Sequence, residues 1–155
     1  RHSVRDFRAS ALSLEEVATI LWATQGLNAE DGGRTAPSAG ALYPLEVFLV
    51  AGRVDGLEAG VYRYRPPDHD LLRHSKGDRR SRVADAALKQ EWIADAPALL
   101  VIAGVFKRTT TKYDQRGRRY VHMEVGFAAQ NTHLMVAALG LGTTVVGAFE
   151  DVDVR

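Results

Sequence analysis

Two short segments hold the residue types best suited to chemistry. Arg1-His2-Ser3-Val4-Arg5 gathers two guanidinium groups, an imidazole and a hydroxyl within a few positions. Arginine grips phosphate through paired charge-assisted hydrogen bonds, and a hydroxyl adds a further donor. Pro37-Ser38-Ala39-Gly40-Ala41-Leu42-Tyr43-Pro44 is small, polar and glycine-containing, so its backbone can lie close against a flat ligand. Taken singly, each has a plainer meaning: a basic chain end in solvent, or a tight loop entering a strand. Together they offer one grip for a phosphate and one for a ring system. A mononucleotide cofactor needs both, and a flavin is the expectation.

Those segments must be positioned by the elements between them. Ser13-Leu14-Glu15-Glu16 reads as a capping box. Leu14, Val17, Ile20, Leu21 and Trp22 then recur at helical spacing, and Gly26 terminates the helix. Residues 27–44 read as loop. Leu45 to Arg53 has the pattern of a mostly buried strand. Gly60 to Arg65 alternates, with Val61 and Arg63 on one face and Tyr62 and Tyr64 on the other, until Pro66-Pro67-Asp68 ends it. Asp78 to Trp92 predicts an amphipathic helix with Val83, Ala86, Ala87 and Leu88 inward. Pro97 to Phe106 predicts the central buried strand. The basic, threonine-rich stretch from Lys107 to Arg119 reads as a loop, either a lid over an anionic or peptidic substrate or plain solvated surface. Tyr120 to Leu139 is the longest helix candidate and is apolar nearly all round, which predicts a central position. Thr143 to Phe149 reads as a final strand.

Composition bounds the function. At 155 residues, 46% hydrophobic and 25% charged, the chain is most simply one domain with a real core. A net charge of +1 gives no reason to expect nucleic acid or an anionic membrane as partner. The absence of cysteine removes disulfides, thiolate metal sites and a cysteine nucleophile, and fits a cytoplasmic protein. The longest apolar run, Ala96 to Phe106, falls far short of the roughly 20 residues that span a bilayer. The sequence begins at Arg1 without methionine, so targeting stays open. His69, His74, His122 and His133 lack metal-ligand spacing, which leaves them structural or surface roles. Gly140-Leu141-Gly142 with Gly147 closes a helix and opens a strand, the reverse of a dinucleotide fingerprint. No serine sits in a G-x-S-x-G setting, so a hydrolase has no support.

The order R-H-S-V-R-D-F, L-W-A-T-Q-G, P-S-A-G-A-L-Y-P-L-E, G-V-Y-R-Y, K-Y-D-Q-R-G-R-R-Y, M-E-V-G-F-A-A-Q-N and A-L-G-L-G-T-T-V-V-G-A-F runs the length of the chain. It resembles the FMN-dependent nitroreductase superfamily, and within it the SagB/ThcOx branch of azoline dehydrogenases. The resemblance implies an α+β fold with a central, mostly antiparallel sheet flanked by helices, assembled as an intertwined homodimer. It implies that Arg1, His2, Ser3 and Arg5 contact the FMN phosphate and ribityl chain. It places Pro37, Ser38, Ala39 and Gly40 against the flavin, usually from the other subunit, and Gln90 near the pyrimidine edge. Val145, Val146, Gly147 and Ala148 match a strand end whose backbone faces the ring, where an N–H can stabilise developing charge. Lys112-Tyr113 matches a motif associated with removing the substrate proton. Cationic neighbours (Lys107, Arg108, Arg116) would favour the neutral amine a base requires, whereas the plainer reading is a solvated lysine beside a packing tyrosine.

The implied reaction removes a proton and a hydride from a peptidic azoline, the hydride passing to FMN. Two alternatives stand beside it: an NAD(P)H-dependent nitro- or quinone reductase, and a flavin-binding module without turnover. The chain departs from the family pattern in stopping at Arg155, before the usual C-terminal arm, and in carrying Phe127 where the branch often has histidine.

Overall fold

The computed structural model describes residues 1–28 and 32–154, so positions 29–31 of the expected loop lie outside the described residues. Helix α1 (Leu14–Gln25) starts with the predicted capping box. Ser13 Oγ accepts the Glu16 N–H at 3.1 Å, and Glu16 Oε2 accepts the Ser13 N–H at 2.8 Å. Caps of this kind contribute about 1 kcal/mol. Val17, Ile20, Leu21 and Thr24 turn inward. Gly26 ends the helix because nothing larger fits: a Cβ there would stand 2.3 Å from the Trp22 ring and 2.7 Å from its carbonyl oxygen.

The sheet is antiparallel, with strands β1 (Leu45–Ala51), β2 (Gly60–Arg65), β3 (Asp70–Lys76) and β4 (Ala98–Gly104) in the order β3-β2-β1-β4. One core joins Val17 and Leu21 of α1 to Val47, Leu49 and Ala51 of β1 and to Tyr62 and Tyr64 of β2. β2 keeps its predicted alternation, with Arg63 exposed between the buried tyrosines. β3 escapes the alternation rule. It is an outer strand in which Leu71 packs on the core and most other side chains are exposed, so Asp-Leu-Leu-Arg-His-Ser-Lys shows little alternation. The strand predicted to be central, at 97–106, is the opposite edge: β4 pairs with β1 alone among the described residues and is half-buried throughout. β1 holds the central place.

Helices α2 (Arg80–Ala86) and α3 (Trp92–Asp95) replace the single helix predicted over 78–92. Leu88 and Lys89 take left-handed backbone (φ 56° and 58°), and Gln90 Nε2 donates to the Ala87 carbonyl at 2.9 Å. That turn exposes Leu88, which was predicted inward. The basic stretch predicted as loop is helix α4 (Phe106–Tyr113) and the first turn of α5 (Arg116–Ala138). Its inward side is Thr109, and its outward side is too polar to show an apolar stripe. Asp114 (φ 49°) separates the two helices. Gly117 lets α5 close on α4, since a Cβ there would stand 2.9 Å from the Thr109 and Thr110 backbone.

α5 is not buried all round, as its composition predicts. Val121, Glu124, Ala128, His133 and Val136 are buried, whereas Met123, Phe127 and Leu134 are exposed. The strand predicted over 143–149 reduces to one parallel bridge between Ser3 and Thr143. Its apolar Val146 packs on the Ala84, Ala87 and Ile93 cluster, which Leu99 of β4 also joins, and pairs with no strand among the described residues. A short helix, α6 (Asp151–Val154), follows.

Candidate functional site

The structure gathers the predicted residues into two half-sites. In the first, the 37–44 loop is fastened from within and from α5. Ser38 Oγ accepts the Tyr43 N–H at 2.9 Å, and Ala39 donates its N–H to Glu124 Oε1 at 3.0 Å. Glu124 is 3% exposed, a buried carboxylate in the otherwise apolar middle of α5. Asn131 Nδ2 adds a bond to the Thr35 carbonyl at 3.0 Å. Left-handed backbone recurs through the loop, at Gly40 (φ 64°) and at the non-glycine residues Ala41 (φ 54°) and Tyr43 (φ 43°). Left-handed backbone at non-glycine residues persists where the surroundings impose it, commonly at functional sites.

Gly40 is where this loop meets Lys112 and Tyr113. A Cβ at Gly40 would stand 2.6 Å from Tyr113 Oη and 2.9 Å from Lys112 Nζ. The phenol and the amine therefore face one small space beside the loop. They occupy the last turn of α4, with the Tyr113 ring edge-to-face against Tyr120 at 5.2 Å and Lys112 Nζ 5.4 Å from the Tyr113 centroid. Lys112 has no carboxylate within ion-pair distance among the described residues. A lysine and a phenol converging on a glycine-lined surface can bind, orient and deprotonate a small group there.

The second half-site is built from the chain's first residues. Val4 donates its N–H to the Thr143 carbonyl at 3.0 Å, and Gly142 leaves room for the Val4 side chain, which a Cβ would approach to 2.8 Å. Arg1, His2 and Val4 line a cavity of about 300 Å³ with His133, Gly140 and Thr143. His133 is buried and its Nδ1 has no partner among the described residues. Burial holds its pKa below the usual 6.5, and Arg1 adds to the effect. Arg5 lies apart from Arg1, its guanidinium 5.6 Å from the Trp92 centroid. Trp92 and Val146 pack on one cluster, and Gln90 Nε2 donates to the Ala148 carbonyl at 3.3 Å. Arg5, Gln90 and residues 145–148 thus lie around one patch, while Ser3 is used in the bridge to Thr143.

The donors at this cavity fit a phosphate: a guanidinium, the His2 ring and an unpartnered buried imidazole nitrogen. Its volume is at the low end for ligand pockets, enough for part of a mononucleotide.

The two half-sites are separated by α5. Glu124 and His133 lie about 13 Å apart along its axis and half a turn apart around it. Sequence reasoning missed both residues. Glu124 carried a usable signal, a lone acid amid apolar neighbours; His133 carried none. No group of histidine and carboxylate side chains able to hold a metal occurs among the described residues, nor does any helix long and apolar enough to cross a membrane.

An antiparallel sheet backed by helices, with a fastened glycine loop and a cationic terminal segment, defines an α+β scaffold with two candidate ligand-binding surfaces. The profile of the Nitroreductase family matches residues 1–155, and the chain belongs to that family of oxidoreductases. A Methanocaldococcus jannaschii protein provisionally named as a nitroreductase is 50% identical over 155 residues, covering 100% of this chain and 78% of its own length. The Microcin B17-processing protein McbC of Escherichia coli is 32% identical over 123 residues, covering 76% of this chain and 45% of its own. A chain of the solved Escherichia coli Microcin synthetase McbBCD complex, with truncated pro-MccB17 bound, superposes with a TM-score of 0.80 at 29% identity. That match covers 94% of this chain and 57% of the other, so this chain spans about half the length of each Escherichia coli protein.

Proposed function

We propose that two copies of this chain form an FMN-dependent dehydrogenase of the SagB type, oxidising an azoline ring within a peptide. The carrying observation is the convergence of Tyr113 Oη and Lys112 Nζ on Gly40. Bound FMN supplies the hydride-accepting ring. Pro37 to Gly40 offer the surface for that ring, and Lys112 or Tyr113 takes the proton from the substrate carbon. Arg1, His2, Ser3 and Arg5 hold the phosphate and ribityl end, Gln90 keeps the 145–148 segment in place, and Val145 to Ala148 present backbone to the ring. The likeness to McbC, and to a complex solved with pro-MccB17 bound, supports a peptide substrate.

The separation of the half-sites supports a dimer. Met123, Phe127 and Leu134 form one exposed apolar stripe on α5. Glu124 lies one residue inside one end of the stripe and His133 one residue inside the other. Two α5 helices crossing antiparallel at the stripe's midpoint set residue 124 of one protomer level with residue 133 of the next. Each complete site then takes its loop from one protomer and its cationic segment from the other.

A second reading, an NAD(P)H-dependent nitro- or quinone reductase, is favoured by the 50% identity to the Methanocaldococcus jannaschii protein. Anaerobic addition of an azoline peptide, then of NADPH, to the flavin-loaded protein separates the two by visible absorbance. Bleaching by the azoline peptide, lost in Lys112→Ala and Tyr113→Phe, is expected. Bleaching by NADPH alone, unchanged in both variants, would replace the dehydrogenase with the reductase. A protein that takes up no FMN would end both.

A further inference from the structure

A second cavity of about 300 Å³ opens where β1 begins and β2 ends, and neither half-site uses it. Gln25, Arg34, Tyr43, Glu46, Tyr64 and Arg108 line it. Its charges are unevenly matched. Glu46 is shared by Arg63 and Arg108, and Arg65 pairs with Asp68 and Asp70. Arg34 has no carboxylate within ion-pair distance among the described residues. It donates through Nη1 to the Gln25 carbonyl at 3.2 Å and lies 5.1 Å from the Tyr43 ring centroid. Its buried Nε has no acceptor, and the oxygen of the Gln25 side chain, on a residue only 2% exposed, has no donor.

Arg34 is half-buried, and a buried N–H of a cation is costly to leave unpaired, so its Nε calls for an acceptor; the Gln25 oxygen calls instead for a donor. Tyr64 is no substitute: burial pushes its phenol up to about 12, against the opposing pull of Arg34, so it stays neutral. Burial lowers the Arg34 pKa and Arg108 adds to it, against the opposing pull of Tyr43, Tyr64 and Glu46. The free Nε and the surplus of guanidinium groups around the cavity suit an anionic acceptor.

We propose that this cavity is a recognition subsite for a carboxylate of the peptide substrate, held by Arg34 with Arg108 as the second cation. The inference rests on the peptide-dehydrogenase reading and adds a substrate class to it. Arg108 and Lys112 stand four residues apart on one face of α4, about 6 Å along its axis. An extended peptide covers that distance in about two residues. Tyr43, on the cavity wall, is also tied to the loop through Ser38 Oγ. A ring at Lys112 and Tyr113 therefore places an acid within about two residues of itself in the cavity. The volume suits one side chain or chain terminus, not a whole cofactor.

Three unreactive thiazole peptides, dye-labelled and otherwise identical, test this by fluorescence anisotropy on the purified protein with its flavin content measured. One has Glu two residues from the ring and a C-terminal amide, one has Gln and the amide, and one has Gln and a free C-terminal carboxylate. At least one acidic peptide is expected to bind about 10- to 100-fold tighter than the neutral one, the range of a charge-assisted pair. Which acid wins identifies side chain or terminus. Arg34→Gln, with its melting temperature checked, is expected to abolish the preference, and Arg34→Lys to keep part of it without the planar fork. Equal affinity of all three peptides for the wild-type protein would overturn the subsite whatever the variants do. A preference persisting undiminished in folded Arg34→Gln would overturn it too. A protein without flavin that still prefers an acid would remove the FMN reading and leave the subsite standing.

Discussion

The two half-sites are built to different standards of rigidity. The Gly40–Lys112–Tyr113 surface is tied by partly buried polar anchors: Glu124 on the Ala39 N–H, Ser38 on the Tyr43 N–H and Asn131 on the Thr35 carbonyl. The close packing of α4 on α5 at Gly117 sets the height of Lys112 and Tyr113. The Arg1–Arg5 segment instead leans on one backbone bond to Thr143 and one cation–ring contact to Trp92, with exposed side chains. Groups that must hold a reacting atom need fixed geometry. Groups that grip a phosphate gain enough from charge to tolerate ordering on binding. On the proposed reading, the more firmly tied half-site is the one that would take the substrate proton.

The largest effect should come from disturbing the rigid side at its tightest point. Gly40→Val puts a branched side chain on left-handed backbone and into contact with Lys112 and Tyr113. Flavin reduction by an azoline peptide, followed by stopped-flow absorbance per bound flavin, should slow about 100-fold, as for a misplaced catalytic group. The more exposed side should answer differently. Arg1→Ala and Arg5→Ala should each weaken FMN binding about 10- to 100-fold, read by flavin fluorescence quenching, with little change in rate per bound flavin. An equal loss of rate per bound flavin would dissolve the distinction. Glu124→Ala should then cost about 1.5–3 kcal/mol of stability in denaturant unfolding, as for a hydrogen bond to a charged group. Glu124→Gln should recover part of it, because the amide oxygen still accepts from Ala39.

The same contrast explains what was legible in the sequence. The capping box at Ser13, the alternation of Tyr62 and Tyr64 around Arg63, and the apolar run of β1 are local signals with a buried face, and they appear where expected. β3 touches the core through Leu71 and α4 turns Phe106, Thr109 and Tyr113 to one side, so neither carries the aliphatic run that makes a pattern easy to read. The helix break at Leu88 and Lys89 has neither glycine nor proline to announce it; it is imposed by tertiary contacts through Gln90. Gly140-Leu141-Gly142 followed by two threonines and two valines satisfies strand propensity, yet Val146 finds its burial against α2 and α3. The candidate site was legible as residue types. That Gly40 should touch Lys112 and Tyr113, more than 70 residues away, depends on Gly117 and Glu124 and could only be seen folded.

The smallest effect isolates the weaker half-site. His133 is buried beside Arg1, and desolvation first, then that charge, keeps its native pKa below 6.5. Well above pH 6.5 the ring is neutral in both folded and unfolded chains and contributes no pH dependence. As pH falls through 6.5, the unfolded chain takes up a proton that the native ring resists, so the unfolded state binds more protons and stability drops. Urea midpoints of the protein without added anions should therefore decline between about pH 6.5 and 5, and His133→Gln should flatten that part of the decline. Millimolar inorganic phosphate should do the same in the wild-type protein, since an anion against His133 and Arg1 makes the protonated ring acceptable. It should leave the profile of His133→Gln nearly unchanged. If phosphate shifted both proteins alike, the anion would be acting elsewhere, and the cationic cavity would lose its claim to the cofactor's phosphate while the Gly40 surface kept its role.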